Sequence, residues 1–202
     1  MPSARRTNLD HFRSWVFPVT VAGTAEKLGV KIIASTIAFN SKGSNVKDPS
    51  GSTISYDNIT DSAKNFYTQG FKPGDQITVA GAVNGANNVS FVVYDISADG
   101  GTLILTSSGV VTTAAAGPSI TIVAPVTVPE GLPVTIKAQK ANTGKIYIGF
   151  NALNTQNHKC FTLASNESVF LQVRRTDILF LDADNAGEGV ECNVEQNKQG
   201  TD

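Results

Sequence analysis

The chain has 202 residues, with 16 Lys+Arg against 17 Asp+Glu and a formal net charge of −1, which excludes the global basic excess that neutralises phosphates or anionic lipid headgroups. Only 16% of residues are charged and 41% are hydrophobic, with 20 Thr, 16 Ser and 16 Asn making up much of the polar share. That is enough apolar mass for a packed core and too much for a disordered chain.

Residues 1–29 read as an N-terminal arm. Asn8, Asp10, His11 and Arg13 interrupt what a secretory signal needs as an apolar stretch, and no run of about 18 apolar residues occurs anywhere, so neither export by that route nor a membrane span is expected. The arm carries Arg5, Arg6, Arg13 and Lys27 against Asp10 and Glu26, with the lone Trp15 followed by Val16 and Phe17. An isolated segment cannot bury Trp15 and Phe17 by itself, so it packs across its own lobe or docks on another subunit. Arg5, Arg6, Arg13, Trp15 and Phe17 are the candidate interface residues, because arginine and aromatic side chains dominate interface energetics.

From residue 30 onward, apolar and polar residues alternate with period two between turn-forming clusters, the pattern of strands with one buried face. Val30 to Phe39, Gln76 to Val83, Val89 to Ile96, Thr102 to Thr106 and Ser119 to Val123 are the clearest strands of a first domain over 30–124. Asn84-Gly85 predicts a tight hairpin turn. Asp61 to Gln69 is the best helix candidate, capped by Asp61 and stopped by Gly70. Pro125, Pro129 and Pro133 mark a linker over 125–133. A second domain over 134–196 contains Val134 to Ala138, Lys145 to Phe150, Ser168 to Val173, Ile178 to Asp182 and Val190 to Val194, followed by a tail over 197–202. The fold class is therefore all-β: two small β-barrel or β-sandwich lobes with an extended N-terminal arm.

Catalytic groupings are sparse. The histidines are His11 and His158, and neither Cys160 nor Cys192 sits in a nucleophile motif, although His158 lies two positions from Cys160. The cysteines are expected as reduced thiols, with a pairing between them left open. Asp182-Ala183-Asp184-Asn185-Ala186-Gly187-Glu188 begins like a calcium loop, but Ala186 takes the fifth ligand position and Asn193 the place of the bidentate glutamate, so a hairpin turn is the expected reading. Asp95, Asp99 and Glu167 are the carboxylates that a cryptic polysaccharide hydrolase would use. No enzyme activity, metal or cofactor is expected. The acids from Asp177 onward stand against the basic arm, a polarity that suits head-to-tail contact between copies and equally a solvated acidic face.

Gly70 to Ile122 carries Gly70, Phe71, Gly74, Asp75, Ile77, Val79, Gly81, Asn88, Phe91, Val93, Ile96, Thr102, Leu103 and Leu105 in the spacing GF-x-x-GD-x-I-x-V-x-G, N-x-x-F-x-V-x-x-I, T-L-x-L. This resembles a small β-barrel module of structural proteins from tailed bacteriophages. Val134 to Val194, with VTIKA, NTGKIYIG, LASNESVFLQV and ILFLDADNAGEGV, is similar to a compact β-sandwich of phage head proteins. The resemblance implies a virion protein: a capsid decoration or cement protein assembled in the host cytoplasm onto the capsid exterior. Its implied partners are the major capsid protein and other copies of itself in a homotrimer, with no nucleic acid and no membrane. A head-fibre or tail module that recognises a host glycan or protein is the alternative, with Tyr56, Phe66, Tyr67 and Tyr94 as its aromatic candidates. On the first reading the arm latches the shell, so a chain lacking residues 1–29 is expected to fold and to lose capsid binding.

Overall fold

The computed structural model describes residues 13–47, 50–117 and 119–194. In chain order the strands are β1 (Arg13–Pro18), β2 (Glu26–Lys27), β3 (Val30–Ala34), β4 (Ile37–Lys47), β5 (Thr53–Asp61), β6 (Gln76–Ala80), β7 (Ser90–Ile96), β8 (Thr102–Leu105), β9 (Ile120–Ala124), β10 (Val134–Ala138), β11 (Ile146–Gly149), β12 (Phe161–Leu163), β13 (Ser168–Leu171), β14 (Phe180–Ala183) and β15 (Gly189–Val194), with one short helix, α1 (Ala152–Gln156), between β11 and β12. The protein is all-β, as expected. No helix among the described residues is long and apolar enough to cross a membrane.

The chain forms two compact units. One is Val30–Pro125, and the other joins the residues before Val30 to those from Val126 on. The described segment ahead of Val30 is paired and packed within the second of these units. The proline-rich stretch is likewise no linker. Val126 and Val128 are buried, Val126 N–H donates to Thr176 Oγ1 at 2.9 Å, and Thr127 bridges to Arg175. Proline there interrupts the ladder without freeing the chain, because the valines between the prolines still find an apolar home.

Unit Val30–Pro125 is one seven-stranded antiparallel sheet in the order β3-β9-β6-β7-β8-β5-β4. β3 and β4 occupy opposite edges, yet only Ser35 and Thr36 separate them in sequence. Three residue steps reach at most about 11 Å, so the sheet must curl until its edges approach, enclosing Phe39, Ile59, Ile77, Val93, Leu103 and Ile122. The single strand expected over Val30 to Phe39 is thus two strands on opposite edges. β6 and β7 are antiparallel neighbours, but the expected tight turn at Asn84-Gly85 is a longer loop. Asn84 caps a 3-10 turn over Gly85–Asn87, and the Asn87 side chain donates to Thr112 O and accepts from Thr112 N–H. The helix expected from Asp61 is also absent. β5 runs through Asp61, whose carboxylate accepts from Ala63 and Asn65 N–H, while Lys64 adopts left-handed geometry with φ 56° and stops any helix.

The other unit has two four-stranded sheets, β1-β15-β10-β13 and β12-β11-β14-β2. All four residues of β11 are buried. Tyr147 and Gly149 face α1 and the segment after it: the Tyr147 ring stacks on His158, and a Cβ at Gly149 would run into Thr155 and Cys160. Period two then turns Ile146 and Ile148 to the opposite face, toward the core shared with Phe17, Ile136, Val190 and Leu181. β1 seals this core: it pairs with β15 from Arg13↔Val194 to Pro18↔Gly189. A Cβ at Gly189 would sit 2.7 Å from the Phe17 carbonyl oxygen. Gly189→Ala is therefore expected to lower the stability of this unit by about 2 kcal/mol, read as a lower urea midpoint with unchanged m-value.

Candidate binding surfaces

Of the five expected interface residues, Arg5 and Arg6 lie outside the described residues. Arg13, Trp15 and Phe17 alternate along β1 and all point inward; Trp15 is 2% and Phe17 0% exposed. The expectation that these side chains anchor another protein is corrected for Trp15 and Phe17, which are core residues of their own unit. The signal was present in sequence: Trp15, Phe17 and Val19 share one face at period two.

The carboxylates singled out in sequence are each engaged by nearby structure. Glu167 accepts from Ala164 N–H at 2.8 Å, Asp95 from Ile96 N–H at 2.8 Å, and Asp99 from the Ser97 hydroxyl at 2.6 Å while pairing with Lys64 at 3.0 Å. The Ser97 and Lys64 contacts hold Asp99 well below the ordinary carboxylate range, the wrong direction for a general acid near neutral pH. In the calcium-like segment, Asp184 accepts from Lys145 N–H and the Tyr147 hydroxyl, both at 2.8 Å, and Glu188 gathers Thr143 N–H at 2.8 Å and Gly144 N–H at 2.6 Å. Asp182 accepts from Gly23 N–H at 2.8 Å. These three carboxylates serve different backbone donors, and the segment is the turn between β14 and β15 with Gly187 at φ 85°. Burial, followed by the Asp184 contact, pushes the Tyr147 hydroxyl up to about 12.

His158 and Cys160 do not pair as base and nucleophile. The imidazole lies flat on Tyr147, 3.6 Å between centroids and 3° between planes, while Cys160 Sγ contacts the Phe161 carbonyl at 3.6 Å. Burial raises the Cys160 thiol pKa, opposite to what an activated thiolate requires. Cys160 and Cys192 are both free thiols.

What this unit does present is an apolar surface that sequence alone did not single out. A cleft of about 260 Å³ lies among Ile148, Gly149, Phe150, Asn151, Cys160 and Phe161. Asn151 caps α1 by accepting from Asn154 N–H at 3.2 Å, and both asparagines line the cleft. Phe150 is 55%, Leu153 65% and Phe161 50% exposed. Phe150 directly follows β11, and Phe161 begins its neighbour β12 opposite Ile148, so the strand pairing itself brings the two residues to one region. The aromatic candidates in Val30–Pro125 divide: Phe66 is buried edge-on against Phe71, Tyr67 donates to Ile96 O at 3.1 Å, and Tyr56 stacks on Tyr94. No protein-family model matches this chain, and no curated protein matches it.

Proposed function

We propose that this protein is a structural virion protein of a tailed bacteriophage, a capsid decoration or cement protein that binds the shell of major capsid protein from outside and stabilises it, acting as a homotrimer. The motif spacing of Gly70 to Ile122 and Val134 to Val194 supports the phage reading. The observation that carries adhesion is the exposed Phe150 and Phe161 lining one cleft, with exposed Leu153 next in sequence to the cleft-lining Asn154. Clustered large apolar side chains rimmed by polar residues mark protein contact surfaces, and aromatic anchors beside a pocket supply most of the energy in such contacts. This surface replaces Trp15 and Phe17 as the anchor. The carboxylates expected for a hydrolase hold loops, which leaves them aligned with a structural role. The alternative, a head-fibre or tail module reading a host surface, draws on a different observation, the open Tyr56–Tyr94 stack.

Co-sedimentation with purified capsids lacking this protein tests the main reading. Leu153→Asp and Phe161→Asp are expected to fold normally, because both side chains face solvent, and to weaken capsid binding at least about tenfold each, the effect of roughly 1.4 kcal/mol. Binding at the unaltered level by both variants would refute the assigned surface. A wild-type protein that ignores capsids altogether would refute the function.

A further inference from the structure

Two irregularities in the curled sheet of Val30–Pro125 converge on one place. Between β4 and β5 the pairing passes from Asn40↔Asn58 to Ser44↔Tyr56, so Ser41, Lys42 and Gly43 all face Asp57. Between β7 and β8 it passes from Val93↔Leu105 to Asp95↔Ile104, which makes Tyr94 the extra residue of a bulge. Bulges re-aim a side chain and are enriched beside binding sites. Here they aim two tyrosines at each other. β8 lies between β5 and β7 in the sheet, so their backbones are about 9.5 Å apart, yet the rings of Tyr56 and Tyr94 stack at 5.1 Å between centroids and 10° between planes. Both rings lean over β8, and Tyr94 is 46% exposed.

Next along the same strands lies a groove of about 300 Å³ walled by Gln76, Ser90, Val92, Thr106, Ser107 and Val110, with Val89, Phe91 and Leu105 also in its lining. Val92 lies on the same face of β7 as Tyr94, two residues away. Thr106 N–H donates to Val92 O at 2.9 Å, and Ser107 O accepts from Asp57 N–H next to Tyr56 at 3.3 Å, so wall and stack are tied together. The wall is also held in advance of any ligand: the buried Asp57 carboxylate accepts from Val110 and Val111 N–H, both at 2.7 Å. Among the described residues the groove lining is hydroxyl, amide and apolar, the apolar part being aliphatic except for the buried Phe91, with no charged side chain.

That combination specifies a ligand chemistry. An open aromatic face takes the C–H face of a pyranose ring, uncharged hydroxyl and amide groups answer its hydroxyls, and an uncharged wall gives an anionic sugar no partner for its charge. We propose that the groove beside Tyr56 and Tyr94 binds a neutral oligosaccharide. The proposal is separate from capsid adhesion, which is assigned to the other unit, and holds or fails independently of it.

The test is titration of the full chain, followed by backbone amide NMR, with maltohexaose, cellohexaose, mannohexaose, a galactan hexasaccharide and chitohexaose. At least one is expected to bind with a dissociation constant of about 1 mM or tighter, with shifts concentrated at Tyr56, Val92, Tyr94, Thr106 and Val110. Tyr94→Ala is expected to weaken that binding at least tenfold and Tyr67→Phe to leave it unchanged. Val110→Glu, which places a charge at an already exposed position, gives the same readout if Tyr94→Ala fails to fold. No perturbation by any of the five sugars overturns the proposal, as do shifts mapping away from the groove, equal binding of heparin hexasaccharide, or full binding by both groove variants.

Discussion

A chain lacking residues 1–29 is expected to lose the folded state of the unit that those residues share with Val126 onward, while Val30–Pro125 stays folded. The deletion removes β1, and with it the ladder from Arg13↔Val194 to Pro18↔Gly189, and also β2, which pairs with β14. It strips Trp15, Phe17, Val19 and Leu28, all at most 2% exposed, from the core. Each such side chain contributes roughly 1.5–3 kcal/mol of burial. Four together reach about 6–12 kcal/mol, comparable with the whole stability of an ordinary domain. Differential scanning calorimetry of the truncated chain should show one transition where the intact chain shows the contributions of two units, and amide NMR should retain dispersed signals from residues 30–125 only. Dispersed signals from Ile136, Ile148 and Leu181 in the truncated chain would overturn this. The result revises the expectation drawn from sequence: loss of capsid binding by such a truncation would report unfolding, not an unhooked latch.

The second large effect belongs to Asp57. Its fully buried carboxylate accepts from Lys42 N–H at 2.8 Å and from Val110 and Val111 N–H at 2.7 Å each. It thereby ties the β4 bulge to the segment after β8. Asp57→Ala strands three backbone donors, each costing about 1–3 kcal/mol when buried without a partner. A loss of about 4 kcal/mol is expected, a fall of roughly 20 °C in the midpoint of this unit. Asp57→Asn, equal in size, is expected to lose at least half as much, which separates hydrogen bonding from packing. The pH dependence has a definite sign. Burial raises the pKa of Asp57, but the N–H groups of Lys42, Val111, Gly109 and Val110 outweigh it and leave the carboxyl below its ordinary value of 3.8. A pKa depressed in the folded state means the contribution is complete above the ordinary value and is lost as pH falls through the folded one. Urea unfolding from pH 6 downward should therefore show the gap between wild type and Asp57→Asn constant at first and closing only below about pH 4. A gap that does not change with acidification would show the carboxylate charge to be irrelevant.

Strands with one apolar face were legible along the chain. β6, β7, β9 and β10 each alternate buried and less buried residues, and their sequences alternate with them. β5 was not, because its buried positions include Asp57, Asn58 and Asp61: hydrogen-bonded polar groups break the alternation of apolar and polar residues. α1 has five residues, too few for helical periodicity to register. The docking of β1 on β15 joins segments more than 170 residues apart, and no local pattern encodes such a pairing. Among the surface candidates, Tyr56 and Tyr94 are visible in sequence as aromatics, but their stacking depends on two register shifts that only strand pairing sets. The exposure of Phe150 is likewise a product of tertiary placement, since it directly follows a strand whose four residues are all buried.

Joining the first described strand to the last also orders events on the ribosome. β3 through β9 are continuous in sequence, so Val30–Pro125 has all its strands once residue 124 has emerged. β1, synthesised earlier, finds β15 only after residue 194. During that interval Trp15 and Phe17 lack their permanent cover, a nascent apolar edge of the sort that invites chaperones or wrong partners. Stalled or prematurely terminated chains should therefore be insoluble through their beginning, although the defect lies at their end.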